Sequence, residues 1–142
     1  MNFEERIAKN VSKRLLELKP YRAESADGLV KMDAMELPFS LADETLEEFH
    51  SSLREIPLNR YPDPKSKELR ARLLRINSLT KGVDVIVGNG SDELIHLLCL
   101  LTAGSPNSTM LCPGPTFSVY KIAAEIVGLR YVEVSTSAED FD

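Results

Sequence analysis

Cysteine and histidine are both scarce in this sequence, which has only Cys99, Cys112 and two histidines. The cysteines lie far apart and form no CxxC motif, so we expect neither a disulfide framework nor a metal site. Basic residues are also outnumbered, because 17 Lys and Arg stand against 22 Asp and Glu and the net charge is -5. That balance argues against general binding to nucleic acid or to acidic membranes.

Long apolar runs are absent as well. No run approaches the roughly 20 residues that a membrane span requires, and the amino terminus mixes charges where a signal peptide has an apolar core. We therefore expect a cytoplasmic protein. Its 142 residues are enough to bury one hydrophobic core, which predicts one globular domain at most.

Helical patterns dominate the first half of the sequence. Apolar residues at steps of three and four predict an amphipathic helix over residues 2–19, which Pro20 ends. Two more helices are predicted over residues 41–56 and 65–79, after a short extended run at residues 29–35. Between these two helices, the prolines of the RYPDP segment exclude a helix and place Tyr61 on a loop.

Short β-branched runs begin to alternate with helical patterns from residue 83 onward. Strands are predicted over residues 83–87, 108–112 and 129–135, with helices between them that end near Gly104 and Gly128. This β-α-β-α-β order predicts an α/β fold with a parallel sheet. Because three strands make a poor sheet and the chain ends directly after the last one, we expect the sheet to be incomplete.

A glycine-rich turn, Gly88-Asn89-Gly90-Ser91, separates the first predicted strand from the following helix. The free amides and positive dipole end of that helix suit a phosphate, which the backbone of Gly90, Ser91 and Asp92 could hold. The same residues also suit an ordinary tight turn with a helix cap. The spacing matches neither the dinucleotide motif nor the P-loop.

Phe117 follows the second predicted strand, in Cys112-Pro113-Gly114-Pro115-Thr116-Phe117. Ligands bind at the carboxyl ends of parallel strands, which is the edge predicted for the glycine turn too. The Phe117 ring could therefore stack on a flat ligand, although a lone aromatic is more often a core residue. Together the two features describe a site for a flat, phosphorylated ring.

Five motifs in this order resemble the amino-terminal part of histidinol-phosphate aminotransferases, which are pyridoxal-phosphate enzymes of the aspartate aminotransferase fold (fold type I). The motifs are Leu18-Lys19-Pro20-Tyr21, Met32-Asp33-Ala34-Met35-Glu36-Leu37-Pro38, Asn59-Arg60-Tyr61-Pro62, Gly88-Asn89-Gly90-Ser91-Asp92-Glu93 and Cys112-Pro113-Gly114-Pro115-Thr116-Phe117. The resemblance implies that residues 1–60 form an amino-terminal arm and small-domain segment. Residues 61–142 would be the first part of the large cofactor-binding domain, incomplete at its carboxyl end.

The resemblance also implies how the cofactor, pyridoxal 5'-phosphate, is bound. Ser91 and Asp92 would give their backbone amides to its phosphate, and Gly90 would allow the close approach. Phe117 would stack on the pyridine ring, and it lacks the hydroxyl of the tyrosine that many relatives have there. Tyr61 would reach across a homodimer interface to the phosphate bound in the other subunit.

Transamination is the implied reaction, between imidazole-acetol phosphate and glutamate to give histidinol phosphate and 2-oxoglutarate in histidine biosynthesis. Tyr21 and Glu36 would lie near these small-molecule substrates. The family's Schiff-base lysine lies beyond the end of this chain, so no catalytic residue is assigned here. We therefore expect the chain to be an inactive fragment of a longer enzyme.

Two alternatives stay open at this point. Other fold type I enzymes, such as a threonine-phosphate decarboxylase or an aromatic aminotransferase, need the same phosphate turn and ring stack. The chain could also be a short non-catalytic protein that binds a phosphorylated ligand or a partner, although the exposed edge of its last strand argues against this.

Overall fold

A computed structural model describes residues 1–21, 25, 27–79, 82–137 and 139. Contacts divide the chain into two compact units, Met1–Ala23 with Val87–Asp142, and Glu24–Ile86. The expectation of an interrupted sheet rests on Phe141 and Asp142, which lie outside the described residues.

Two short helices begin the first unit in place of the single predicted one. α1 covers Phe3–Asn10 and α2 covers Lys13–Leu16. The prediction of one helix over residues 2–19 is wrong because Val11 has an extended backbone, with φ -111° and ψ 134°, which ends α1. A β-branched side chain favours such a backbone, so local conformation interrupts a continuous apolar pattern.

The hydrophobic core of the first unit lies between α5 (Ser91–Ala103) and α6 (Val119–Val127), which pack against each other. Cys99, Ala123 and Ala124 have no exposed surface. Small side chains at this contact let the two helix backbones approach closely. The other buried members of the core are Ile95, Val119 and Leu129.

Two strands form the sheet, β1 (Thr109–Gly114) and β2 (Arg130–Ser135). They pair in parallel, with Met110 opposite Tyr131, and α6 makes the crossover connection that parallel strands require. The two predicted strands in this part of the chain, and the helix between them, are confirmed.

The predicted strand over residues 83–87 is not formed, so the β-α-β-α-β prediction is too long by one strand. Val83 and Ile86 are exposed, and the only ladder in the described part of the chain joins β1 to β2. A strand exists only through hydrogen bonds to a neighbour. The extended run predicted at residues 29–35 lacks a ladder for the same reason.

Gly128 ends α6 in the left-handed conformation, with φ 78°. The Leu129 amide donates a hydrogen bond to the Ala124 carbonyl at 2.9 Å, as in many helices that end on glycine. Arg14 of α2 lies at this end of α6, where its Nη2 donates to the Ile126 carbonyl at 3.2 Å. α2 is therefore tied to α6 within the first unit.

The second unit contains α3 (Asp43–Arg54) and α4 (Lys67–Ile76). Both lie within predicted helical segments, and Tyr61 lies on the predicted loop between them. No described residue of either helix is buried, so the apolar stripes of these helices are largely exposed.

None of the helices in the described ranges is long and apolar enough to cross a membrane. Across the same ranges, no three His, Cys, Asp or Glu side chains gather as metal ligands would. Cys99 and Cys112 are both buried, free thiols.

Candidate functional site

The glycine turn (residues 88–91) leads directly into α5. Gly90 has φ 85° and ψ 172°, a conformation that is almost confined to glycine, and its amide donates to the Gly88 carbonyl at 3.0 Å. A side chain on Gly88 would collide with Leu94, because a Cβ there would lie 2.9 Å from Leu94 Cδ2. The backbone of the turn therefore requires glycine at Gly90, whereas a side chain at Gly88 would require Leu94 to move.

Glu93 holds the glycine turn from the helix side. Its carboxylate accepts a hydrogen bond from the Asn89 amide. Ser91 Oγ lies 3.5 Å from Asp92 Oδ1, at the outer limit of a hydrogen bond. The carboxylate of Glu93 is thus engaged with the backbone of the turn and not with the first amides of α5.

No side chain in the described ranges caps the start of α5. The first amides of an α-helix have no acceptor within the helix, and the positive end of its dipole lies there. The residues that carry the first two of these amides, Ser91 and Asp92, are exposed. This arrangement fits a phosphate group, which binds through such amides.

Phe117 lies between β1 and α6 and is 41% exposed. The Tyr21 ring lies 5.7 Å from it, centroid to centroid, at an interplanar angle of 79°. The Tyr120 ring lies 6.1 Å from it at 87°. Both contacts are edge-to-face, which is a favourable geometry, and neither tyrosine lies parallel to the Phe117 ring. This aromatic cluster (Tyr21, Phe117 and Tyr120) holds a partly exposed ring in place.

Thr136 fixes the segment that leads from β1 to Phe117. Its amide donates to the Gly114 carbonyl at 3.0 Å, and its Oγ1 donates to the same carbonyl at 2.6 Å. The next peptide bond, Gly114–Pro115, is cis. The sequence offered no signal for Thr136, because a single threonine after a strand belongs to no motif.

Within the first unit, the structure joins Tyr21 to Phe117, two residues that the sequence assigned to one site. It does not place the glycine turn after a strand of the sheet, because residues 83–87 form none. The predicted common sheet edge is therefore shown only for Phe117, which follows β1. The helices that begin after the two features, α5 and α6, do pack against each other.

Tyr61, in the second unit, is fully exposed. Nearby, the Asp63 carboxylate accepts hydrogen bonds from the amides of Lys67 at 2.9 Å and Lys65 at 3.0 Å. These bonds, the Lys67 one most, lower the pKa of Asp63 because they stabilise its charged form. Asp63 thereby fixes the loop that carries Tyr61 and the start of α4.

Glu36 is also exposed and lies outside the helices of the second unit. Its predicted position near the substrate, and that of Tyr61 across a dimer interface, stay predictions.

Comparison with protein families decides what kind of protein this is. Residues 27–142 match the model of the family described as aminotransferase class I and II. The chain belongs to this family. Its members have the fold type I α/β architecture, of which the described residues show helices and a two-stranded parallel sheet. Aminotransferases of this class depend on pyridoxal phosphate, the cofactor expected from the sequence.

The curated relatives of this chain include several histidinol-phosphate aminotransferases. It is 39% identical over 137 residues to histidinol-phosphate aminotransferase 2 of Nitrosococcus oceani. The aligned region covers 96% of this chain and 38% of that protein. It is 40% identical over 119 residues to histidinol-phosphate aminotransferase 1 of Ralstonia nicotianae, an alignment that covers 84% of this chain and 32% of that protein. It is 39% identical over 134 residues to the histidinol-phosphate aminotransferase of Methylibium petroleiphilum, an alignment that covers 94% of this chain and 36% of that protein.

The resemblance read from the motifs is therefore confirmed. The chain spans about a third of the length of the curated relatives that it matches.

Acid is expected to weaken the contacts of Asp63. The folded-state pKa of Asp63 is lowered from its ordinary value of 3.8. Its contribution to stability is therefore fully present above the unfolded pKa and is lost as the pH falls through the lower, folded pKa. In an NMR titration, the Lys65 and Lys67 amide signals should move together with a midpoint below pH 3.8.

The matched control is Asp63→Asn, which keeps the side-chain shape but has no charge to titrate, so both amide signals should stay constant through this range. A midpoint at or above the ordinary pKa of an aspartate would contradict the assignment.

Proposed function

We propose that the chain supplies the phosphate-binding and ring-binding residues of a pyridoxal-phosphate-dependent histidinol-phosphate aminotransferase. The reaction would exchange the amino group between glutamate and imidazole-acetol phosphate, giving 2-oxoglutarate and histidinol phosphate. The observation that carries this proposal is the uncapped start of α5 behind the glycine turn, in a chain whose relatives bear that name.

Ser91 and Asp92 would hold the cofactor phosphate through their backbone amides. Gly90 supports this role because its φ of 85° turns the chain away from the helix start without placing a side chain there. The Asp92 side chain would oppose a bound phosphate if it turned toward it. The Glu93 carboxylate, held by the Asn89 amide, also lies at the turn, so the helix dipole and the first amides of α5 would have to outweigh its repulsion.

Phe117 would hold the pyridine ring by stacking. When bound, pyridoxal phosphate supplies an electron-withdrawing ring that stabilises negative charge at the substrate carbon. Phe117 has no hydroxyl, so its contribution would be stacking and exclusion of water, with no hydrogen bond to the ring. Its edge contacts to Tyr21 and Tyr120 support this role because they restrict rotation of the Phe117 side chain.

Tyr61 would act across a homodimer, contributing its hydroxyl to the phosphate in the other subunit. Its complete exposure is compatible with this role, because the hydroxyl is accessible to a partner subunit. Asp63 would keep that loop in position through its two backbone hydrogen bonds. Glu36 would lie near the amino-acid substrate.

The lysine that bonds the cofactor in this family has no counterpart in a matching context among the lysines of this chain. We therefore expect the 142 residues by themselves to bind the cofactor without transaminating. Glutamate-dependent amination of imidazole-acetol phosphate by the purified chain would contradict this part of the proposal.

Pyridoxine 5'-phosphate is a suitable probe for the binding site, because it lacks the aldehyde that would react with surface lysines. Its ring fluorescence can be followed while the chain is added, in parallel with pyridoxine, which has no phosphate. We expect the phosphate ester to bind at least about tenfold more tightly, since charge-assisted hydrogen bonds to two amides contribute about 1.5–3 kcal/mol each. Equal affinities for the two compounds would mean that α5 does not bind the phosphate.

A further inference from the structure

Residues 12–21, which we call the amino-terminal strap, run from one end of α6 to the other. Near its beginning, Arg14 donates a hydrogen bond to the Ile126 carbonyl, at the carboxyl end of α6. At its end, Tyr21 contacts Phe117, just before the amino end of α6. The strap therefore links a helix terminus far from the aromatic cluster to the ring that we propose binds the cofactor.

The contact at Arg14 is specific to the end of a helix. The last four carbonyls of an α-helix have no partner within it, and the negative end of the dipole lies there. Arg14 Nη2 supplies a donor and a positive charge to one of these carbonyls, that of Ile126, at 3.2 Å. Gly128 makes room for it, because a Cβ at that position would lie 2.3 Å from Arg14 Nη1.

Between its two ends the strap is only loosely seated on α6. Leu15 and Leu18 are half-buried, but an open cleft of about 470 Å³ separates residues 17–20 from the side chains of Lys121 and Ile122. A segment with such a gap beneath it gains little positional restraint from packing. The contacts at Arg14 and Tyr21 are therefore the ones that define where the strap lies.

We infer that Arg14 is a positioning residue for the cofactor ring. By holding the strap at the carboxyl end of α6, it keeps the Tyr21 ring against Phe117 and so fixes the ring on which the pyridine would stack. Tyr120 belongs to α6 itself and keeps its place without the strap, so Tyr21 is the member of the aromatic cluster that depends on Arg14. The inference rests on the proposed function of Phe117.

The test uses the whole 142-residue chain with Arg14→Ala, Arg14→Lys and, as the matched control, Arg6→Ala. Arg6 lies in α1 and its side chain is exposed. Arg6→Ala therefore removes the same charge as Arg14→Ala from the same part of the chain. The first readout is NMR of ring-labelled tyrosine, in which the Tyr21→Phe variant assigns the Tyr21 signal among the four tyrosines. The second readout is the affinity for pyridoxine 5'-phosphate.

In Arg14→Ala, the Tyr21 signal should move toward the position of free tyrosine while that of Tyr131, in the core region, stays in place. The affinity should fall about two- to tenfold, the range expected for one lost aromatic contact. Arg14→Lys, which keeps the charge and a donor group, should give a smaller change in both the Tyr21 signal and the affinity. Arg6→Ala should change neither.

An unchanged Tyr21 signal in Arg14→Ala would overturn the inference, and so would a moved signal with unchanged affinity, since Arg14 would then be a structural contact only. Failure of the unsubstituted chain to bind pyridoxine 5'-phosphate is a separate result. It would refute the proposed function itself, and with it any role of Arg14 in positioning a cofactor.

Discussion

Phe117→Ala is expected to weaken the binding of pyridoxine 5'-phosphate by about five- to 140-fold. The reason is the loss of one stacking surface, since removing an aromatic side chain from beneath a heteroaromatic ring typically costs about 1–3 kcal/mol. Phe117→Tyr should keep the affinity, because the stacking face is retained. Both affinities are obtained from the same fluorescence titration.

The control for this substitution is Phe49→Ala, which removes an exposed phenylalanine from α3 in the other unit. It should leave the affinity unchanged. Equal losses in the two variants would point to general destabilisation, and no loss in Phe117→Ala would refute the stacking role.

Gly90→Ala is expected to abolish the preference for the phosphate ester over pyridoxine. An alanine at φ 85° and ψ 172° is strained by about 1–3 kcal/mol, so the glycine turn would shift to relieve it. The shift would displace the amides of Ser91 and Asp92 from a common acceptor, which should reduce affinity for the ester more than tenfold and that for pyridoxine hardly at all. Parallel titrations with the two compounds measure this difference.

Gly104→Ala is the matched control, because Gly104 ends the same helix with an ordinary φ of -70° and has no atom within 4 Å of a Cβ. This variant should keep the preference for the ester. If Gly90→Ala keeps it as well, the phosphate does not bind at the glycine turn.

Sequence patterns were sufficient for the elements that carry their own signals. The α5 and α6 helices combine long apolar periodicity with glycines at their ends, and β1 and β2 flank a helix of the right length for a parallel crossover. The two wrong predictions concern elements whose structure depends on more than their own sequence pattern. Residues 83–87 have the composition of a strand, but a strand needs hydrogen bonds to an adjacent strand, and the sequence pattern does not show whether one lies beside it. The break at Val11 lies inside an unbroken apolar repeat, so periodicity could not locate it.

The residues of the candidate site also fall into those that a motif identifies and those that only the structure shows. Gly90 and Phe117 belong to recognisable motifs; Gly90 has a positive φ and Phe117 is partly exposed, and their roles at the cofactor stay predictions. Glu93 belongs to the glycine motif, but its hydrogen bond from the Asn89 amide was not predicted. Thr136 and Arg14 were missed because each acts as a single residue. Arg14 and Ile126 are 112 positions apart in sequence, so only the folded chain shows that they meet.

The central claim is that the first amides of α5 bind the cofactor phosphate. The most direct test follows the backbone amide signals of the chain by NMR while pyridoxine 5'-phosphate, or pyridoxine in a parallel sample, is added. We predict that the Ser91 and Asp92 amides shift downfield with the ester and hardly move with pyridoxine, because only the ester offers them a phosphate oxygen as acceptor. Shifts of equal size with both compounds, or shifts with the ester that leave Ser91 and Asp92 unmoved, would contradict the account.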